Sequence, residues 1–192
     1  MKDRDISVTR GYNQSFGAFS KKLLSCFCPD LISVICKNCV PKKTPEDDAE
    51  TRKVAVRSLI KVVTTIGIEN IETNQRSEIL ETFYQGFDDY AVDRRGDVGS
   101  WVRSEAMISL SKYVQLLVTC EDKQALNELG GNTAAFYERF INLHLQQLNE
   151  KIDRVRENAG RSLQDFFRHT VAHTDVDFSM RTELMQLFMT EL

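Results

Sequence analysis

An arginine that recurs about every fifty residues constrains the fold of this chain more than any other feature. Three segments share one frame, in which alanine follows the arginine by three residues and leucine follows the alanine by four. The arginines are Arg52, Arg103 and Arg156, spaced 51 and 53 residues apart, and a fainter copy at Arg10 has Asn13 in the alanine position. A fixed period of this length is typical of repeated supersecondary units. We therefore predict that each copy is the second helix of a helix pair, with the alanine allowing close helix approach.

Apolar residues recur with a period of about 3.6 along nearly the whole chain, which predicts amphipathic helices. The stripe Ala55, Leu59, Val62 is one example, and no stretch alternates for long enough to predict a strand. One amphipathic pair cannot bury its apolar face alone, so neighbouring pairs must stack. We predict an all-α fold, a HEAT/armadillo-like α-solenoid of about three to four helical-pair repeats, slightly longer than the roughly 40–47 residues of a HEAT unit. The alternative is an irregular helical bundle.

The boundaries follow from the breaks between these stripes. We expect one helical-repeat domain over residues 1–192, a fragment of a longer solenoid, with approximate units 1–40, 41–72, 73–130, 131–175 and a partial unit 176–192. Thr44 is predicted to cap a helix whose first residue is Pro45. Since the first arginine copy begins close to Met1, we expect an uncovered apolar end, marked by Val8, Tyr12 and Phe16, and poor solubility or self-association.

Composition excludes several classes of function. The net charge is −3, with 25 basic and 28 acidic residues, whereas nucleic-acid binding by bulk attraction requires a basic excess. No apolar run is long enough to span a bilayer, and the charged start lacks the apolar region of a secretory signal. Five cysteines, an odd number, favour free thiols in a reducing cytosol. We therefore expect a cytoplasmic protein without nucleic-acid partners or a membrane span.

Four blocks of sequence resemble the tubulin-folding cofactor D family, in the family's order. Residues 88–103 read DDYAVDRRGDVGSWVR, which is similar to the family's DDY-x-x-D-x-RGDVG-[ST]-WVR run. Residues 5–11 (DISVTRG), 46–52 (EDDAETR) and 150–156 (EKIDRVR) also resemble family segments. The longest run has little reason to recur by chance, so we identify the chain as similar to this family.

The resemblance implies a function that composition and periodicity do not show. Members of the family bind β-tubulin after the chaperonin and assemble the αβ-tubulin heterodimer. With cofactors C and E they stimulate GTP hydrolysis by tubulin, and they bind an Arf-like small GTPase. The resemblance thus implies a cytoplasmic, microtubule cytoskeleton-associated protein without a bound cofactor. The alternative function is a generic HEAT-repeat interaction scaffold unrelated to tubulin.

An enzyme is the least favoured class. The sequence contains no phosphate-binding G-x-x-x-x-G-K-[ST] loop, no G-x-S-x-G nucleophile elbow and no H-E-x-x-H zinc motif. We expect no catalytic, cofactor-binding or metal-binding residues, and at most a GTPase-activating role as part of a complex.

A basic ridge is the candidate partner-binding surface. It consists of four basic residues at spacings of 3, 7 and 7, namely Lys151, Arg154, Arg161 and Arg168. In a solenoid the second helix of each pair commonly lines the concave face, and tubulin is acidic. Arg94 and Arg95 in a predicted turn, together with Lys42 and Lys43, extend the same basic field. The alternative is ordinary solvated surface charge, and Asp165 weakens the ridge.

The frame arginines have a different interpretation. We expect Arg52, Arg103 and Arg156 to form a structural ladder, in which each arginine pairs with an acid such as Asp97 or with carbonyls of the neighbouring repeat. Trp101 opens the helix of the second copy, and we expect it to pack between repeats, with partner anchoring as the alternative.

Two further clusters suggest metal chemistry, and for both we favour a simpler explanation. The spacing of Cys26, Cys28, Cys36 and Cys39 is reminiscent of zinc ligands, but thiols two residues apart on a helix point about 200° apart. We expect these cysteines to be free thiols. Asp165, His169 and His173 share one face of a continuous helix, and we expect a solvated helix end there.

Overall fold

The computed structural model describes residues 6–42, 47–120, 133–173 and 175–189. Of these residues 78% are helical and 2% lie in strands, so the all-α prediction is confirmed. The α-helices are α1 (Ile6–Phe16), α2 (Lys21–Cys39), α3 (Ala49–Ile66), α4 (Thr73–Gly86), α5 (Gly99–Thr119), α6 (Thr133–Leu148), α7 (Asp153–His169) and α8 (Arg181–Met189). Short 3-10 helices cover Ile68–Asn70 and Val171–His173. The strands β1 (Val92–Asp93) and β2 (Gly96–Asp97) form a small antiparallel hairpin.

The helices that carry the frame arginines form one row. α1 packs on α3, α3 on α5, and α5 on α7. The intervening helices form a second row, because α2 packs on α3 and α4, α4 packs on α5, and α6 packs on α7. Arg139 of α6 reaches Glu81 of α4 at 3.2 Å, which links the second row across the surface. This two-row arrangement is consistent with an α-solenoid, whereas the number of repeats and their boundaries stay predictions.

The frame positions account for the packing between the rows. Ala55, Ala106 and Ala159 are fully buried. A Cβ atom at Gly86 in α4 would lie only 2.7 Å from the Cβ of Ala106, so α4 and α5 touch almost backbone to backbone. Small residues at this contact allow the close helix approach that the frame alanines predicted.

The predicted start of the third helix was wrong. α3 begins at Ala49 and its N-cap is Asp48, whose carboxylate accepts the Thr51 N–H at 2.9 Å. Thr44 and Pro45 lie outside the described residues and too early in the chain to begin this helix. The same carboxylate also binds Arg10 of α1 at 2.8 Å. Asp48 therefore serves both the helix end and the neighbouring helix, a tertiary role that local capping rules do not include.

Aromatic rings attach the last helix to the rest of the chain. The rings of Phe140 in α6 and Phe166 in α7 stack with centroids 4.1 Å apart, and Phe188 of α8 stacks on Phe167 at 5.3 Å. At the opposite end, Val8 and Tyr12 of α1 are exposed, as the sequence predicted, whereas Phe16 is half-buried and packs against Phe19. Whether this apolar surface leads to self-association stays a prediction.

Candidate functional site

Arg10, Arg52 and Arg103 lie near the start of their helices, and each reaches the loop that precedes the next helix of the same row. Arg10 of α1 binds Asp48 at 2.8 Å, just before α3. Arg52 of α3 binds Asp89 at 2.7 Å, in the loop before α5. Arg103 of α5 lies 3.9 Å from Glu150, in the loop before α7. We call the contacts of the frame arginines the ladder, and the contacts of each single arginine one rung.

The most deeply buried rung is the pair of Arg52 and Asp89. Both side chains are almost completely buried, with Nε to Oδ2 at 2.7 Å and Nη2 to Oδ1 at 3.1 Å. Asp47 binds the third guanidinium nitrogen at 2.6 Å. Burial by itself disfavours the charged guanidinium, but the hydrogen bonds and charges of Asp89 and Asp47 outweigh it and raise the pKa of Arg52. Arg52 is therefore a fixed structural cation.

Arg103 is fully buried and bound on three sides. Its guanidinium donates to the Asp89 carbonyl oxygen at 2.7 Å and to Asp97 at 2.8 Å. It also stacks 4.2 Å above the ring of Tyr90, whose hydroxyl donates to Glu150 at 2.7 Å. Asp89 consequently joins two rungs, with its carboxylate on Arg52 and its backbone oxygen on Arg103.

Arg156 forms the last rung among the described residues. It donates to the carbonyl oxygens of Glu150 and Lys151 at 2.8 and 3.0 Å, and it pairs with the exposed carboxylate of Asp153. Glu150 and Lys151 lie in the loop before its own helix, α7, and Asp153 is the first residue of that helix. This rung is more exposed than the two before it.

Residues 88–103, the run with the strongest family resemblance, fold into a clasp that holds α3, α5 and α7. Gly96 makes the hairpin turn with a φ of +100°, which favours glycine. A Cβ at Gly99 would lie 2.2 Å from the Asp89 carbonyl oxygen, so only glycine fits there. Asp97 accepts the Ser100 N–H at 3.0 Å and fixes the start of α5. We call this segment the clasp. Its two glycines and Asp97 are the residues that its backbone conformation requires.

A cleft lies beside the clasp, over α5 and between α3 and α7. It has a volume of about 200 Å³ and opens to solvent. One wall carries Lys53 and Arg57 of α3, and the other carries Arg154 of α7. Trp101 and Ile108 of α5 contribute apolar surface at the floor. The guanidinium of Arg95 lies 4.9 Å above Trp101, which connects the rim of the cleft to the clasp.

The charges of the cleft are only partly compensated. Arg57 binds Glu105 through two hydrogen bonds, of 3.0 and 2.5 Å, and these bonds raise the pKa of Arg57. Within the part of the chain that the structure describes, Lys53 and Arg154 make no ion pair or side-chain hydrogen bond. Two uncompensated cations therefore face each other across the cleft.

The basic ridge divides between helix and loop. Arg154, Arg161 and Arg168 are exposed along α7 at seven-residue steps, and Lys151 lies exposed in the loop before it. Arg161 pairs with Glu157 at 2.7 Å, so part of the ridge is neutralised.

The two arginines of the predicted turn lie at the tip of the hairpin. Arg95 pairs with Asp93 at 2.6 Å, and Arg94 is exposed beside it. The structure thus brings Arg95 to the cleft through Trp101, whereas Arg161 and Arg168 lie further along α7.

Three of the four cysteines with zinc-like spacing have described side chains, and these differ in exposure. Cys26 is exposed, whereas Cys36 and Cys39 are buried in the same helix, and burial raises the pKa of Cys36 to about 12. Cys28 belongs to this helix, and its side chain lies outside the described set. Among the described side chains no group of three His, Cys, Asp or Glu residues is placed to hold a metal ion.

Asp165 and His169 are exposed in the last turns of α7, as expected for a solvated helix end, but this helix does not continue to His173. α7 ends at His169, and His173 belongs to a separate 3-10 helix. The histidine with an unusual environment is His144, whose Nδ1 lies 2.8 Å from the Phe140 carbonyl oxygen. Complete burial lowers the pKa of His144 to about 4, so it is neutral at physiological pH.

Sequence reasoning missed three important residues, Lys53, Arg57 and Asp89. Lys53 and Arg57 follow the frame arginine Arg52 by one and five residues. Basic residues shortly after a frame arginine were therefore a sequence signal for this surface. The acidic pair before Tyr90 was a signal for Asp89, because a buried arginine needs a carboxylate.

The stacked helix pairs and buried arginine pairs define an all-α protein with an arrangement consistent with an α-solenoid, and no solved structure matches it. Residues 138–192, from α6 to the end of the chain, match a family model described as tubulin folding cofactor D C terminal. Tubulin-specific chaperone D of Dictyostelium discoideum is 24% identical over a 144-residue alignment that covers 62% of this chain and 10% of that protein. The chain is therefore similar to tubulin-folding cofactor D, and the alignment covers about a tenth of this relative's length. Within the described residues no helix has the length and apolar character needed to cross a membrane.

Proposed function

We propose that this chain is a β-tubulin-binding segment of a tubulin-folding cofactor. In this role it takes part in the assembly of the αβ-tubulin heterodimer after the chaperonin, in the cytoplasm and at the microtubule cytoskeleton. It contributes to the stimulation of tubulin GTP hydrolysis as part of a complex with cofactors C and E, and it also binds an Arf-like small GTPase. The observation that carries the proposal is the similarity of residues 138–192 to tubulin folding cofactor D.

The position of this matched region supports binding through the exposed face of α7. The region includes Arg154 and Arg161, which are exposed, whereas Val155 and Ala159 of the same helix are buried. The ladder uses its arginines for structure, since Arg52 and Arg103 are buried and paired. We therefore propose a binding role without a catalytic centre, in which the buried arginines hold the helices and the exposed ones meet the partner.

The test is retention of purified β-tubulin by the immobilised chain at low and high salt. We expect retention to weaken as salt rises, because exposed ion pairs are screened. The triple variant Lys151→Glu, Arg154→Glu and Arg161→Glu should retain less β-tubulin while its helical circular dichroism stays unchanged. Absence of retention by the unmodified chain would refute the proposal.

A matched control changes the same amount of charge elsewhere. Lys21, Lys22 and Lys37 are exposed on α2, in the other row of helices, and their reversal to Glu should leave retention intact. If both triple variants lose β-tubulin equally, net charge and not the basic ridge is responsible. Capture of an unrelated partner with no β-tubulin retention would favour a generic HEAT-repeat scaffold.

A further inference from the structure

The position and volume of the cleft suit side chains from another protein. α3 and α7 each pack on α5, and the cleft follows α5 between them. The small side chains of Ser100 and Ser104 in α5 also line the cleft. A volume of about 200 Å³ is smaller than the roughly 300–1,000 Å³ of typical small-molecule sites. The space suits one or two side chains of a polypeptide.

The charges of the cleft select an acidic ligand. Lys53 and Arg154 stand on opposite walls and have no ion pair within the described residues, whereas Arg57 is already neutralised by Glu105. Two free cations across a narrow opening attract carboxylates on either side of an inserted side chain. Lys61 and Arg161 are exposed further along the same helices, although Glu157 binds Arg161.

The floor of the cleft supplies an apolar contact. Half of the Ile108 side chain is exposed there although the residue lies in the most buried helix of the row. Trp101 and Ile152 also contribute apolar surface to the lining. An apolar side chain that covers this surface gains roughly 25 cal/mol for each Å² removed from water. The combination of an apolar floor and charged walls is complementary to a hydrophobic residue flanked by acids.

We propose that the cleft over α5 is the docking site for an extended acidic peptide segment of a protein partner. The segment inserts one apolar side chain against Ile108 and Trp101 and places its carboxylates on Lys53 and Arg154. This inference rests on the proposed function, because it specifies the kind of segment that the partner presents to this chain. Lys53, which belongs to no predicted ridge, thereby becomes part of the binding surface.

The test measures fluorescence polarisation of the full chain with a fluorescein-labelled peptide of glutamates around one central phenylalanine. We expect saturable binding that weakens with salt and is about tenfold weaker for the variant Lys53→Glu with Arg154→Glu. A glutamine counterpart should bind no better than the free dye. Ile108→Ser, a change at a half-exposed position, should abolish the preference for phenylalanine over glycine at the centre of the peptide. Lys22→Glu with Lys37→Glu is the matched charge control and should bind like the unmodified chain.

Several outcomes would overturn the inference. Equal peptide binding by the cleft variant and the control would assign the effect to net charge. Equal competition by a thymidine oligonucleotide would show a general anion site. A dimer in light scattering that disappears in the Lys53→Glu, Arg154→Glu variant would assign the cleft to a second copy of the chain.

The inference and the proposed function fail in different ways. If the chain retains β-tubulin and the cleft variant retains it equally, the cleft inference is wrong and the proposed function stands. If the peptide binds in the cleft but β-tubulin is not retained, the proposed function is wrong and the peptide site stands.

Discussion

Replacement of Asp89 by asparagine tests the ladder at its most buried rung. The substitution preserves size but removes the negative charge that faces Arg52, whose side chain is 3% exposed. Loss of one partner from a buried pair costs about 3–5 kcal/mol, because the remaining charge stays desolvated. Asp47 still binds Arg52 at 2.6 Å and is itself 19% exposed, so we take the lower end, about 3 kcal/mol. This is a large fraction of the roughly 5–15 kcal/mol that stabilises a typical domain.

The assay is urea unfolding followed by far-ultraviolet circular dichroism, with the free energy of unfolding taken by linear extrapolation. Asp153→Asn is the matched control, since Asp153 pairs with the frame arginine Arg156 but is 92% exposed. We expect the control to cost less than about 1 kcal/mol. The double variant Arg52→Met with Asp89→Leu should recover part of the loss, because it removes both charges of the most buried pair and leaves only Asp47, whose side chain is 19% exposed, without its partner. If Asp89→Asn costs no more than Asp153→Asn, the ladder does not stabilise this fold.

Three other predictions follow from single positions. Burial holds the pKa of His144 at about 4, against 6.5 for the free residue, so the unfolded chain takes up the proton first as pH falls. The free energy of unfolding should therefore decrease between these two pH values, by about 2 kcal/mol near pH 5. His144→Leu should flatten the pH profile of thermal unfolding. Gly99→Ala places a Cβ 2.2 Å from a backbone oxygen and should cost about 1–3 kcal/mol in urea unfolding, whereas Gly11→Ala, in an open helical position, should be neutral or stabilising. Iodoacetamide should alkylate the exposed Cys26 in the native chain but Cys36 only after unfolding, as read by mass spectrometry; early modification of Cys36 would contradict its burial.

Local sequence patterns determined the helical class and the positions that recur within it. Apolar periodicity reports which face of a helix is buried, so it predicted the buried residues Ala55, Ala106 and Ala159. Glycine at 96 and 99 and the acids around them carry the conformation of the clasp within a few residues. These features depend on backbone geometry over one or two turns, which short stretches of sequence specify.

Tertiary structure alone decided which residues meet across helices. Asp89 lies 37 residues from Arg52, and Lys53 and Arg154 face each other although about half the chain separates them. Such pairs depend on the offset and angle at which α3, α5 and α7 pack, and helical periodicity contains no information about either. For the same reason α3 begins at Ala49, after the N-cap Asp48, because Arg10 of the neighbouring helix holds the capping carboxylate in place. The chain's own pattern therefore specified the helices and the frame arginines, while packing between distant helices selected their partners and formed the cleft.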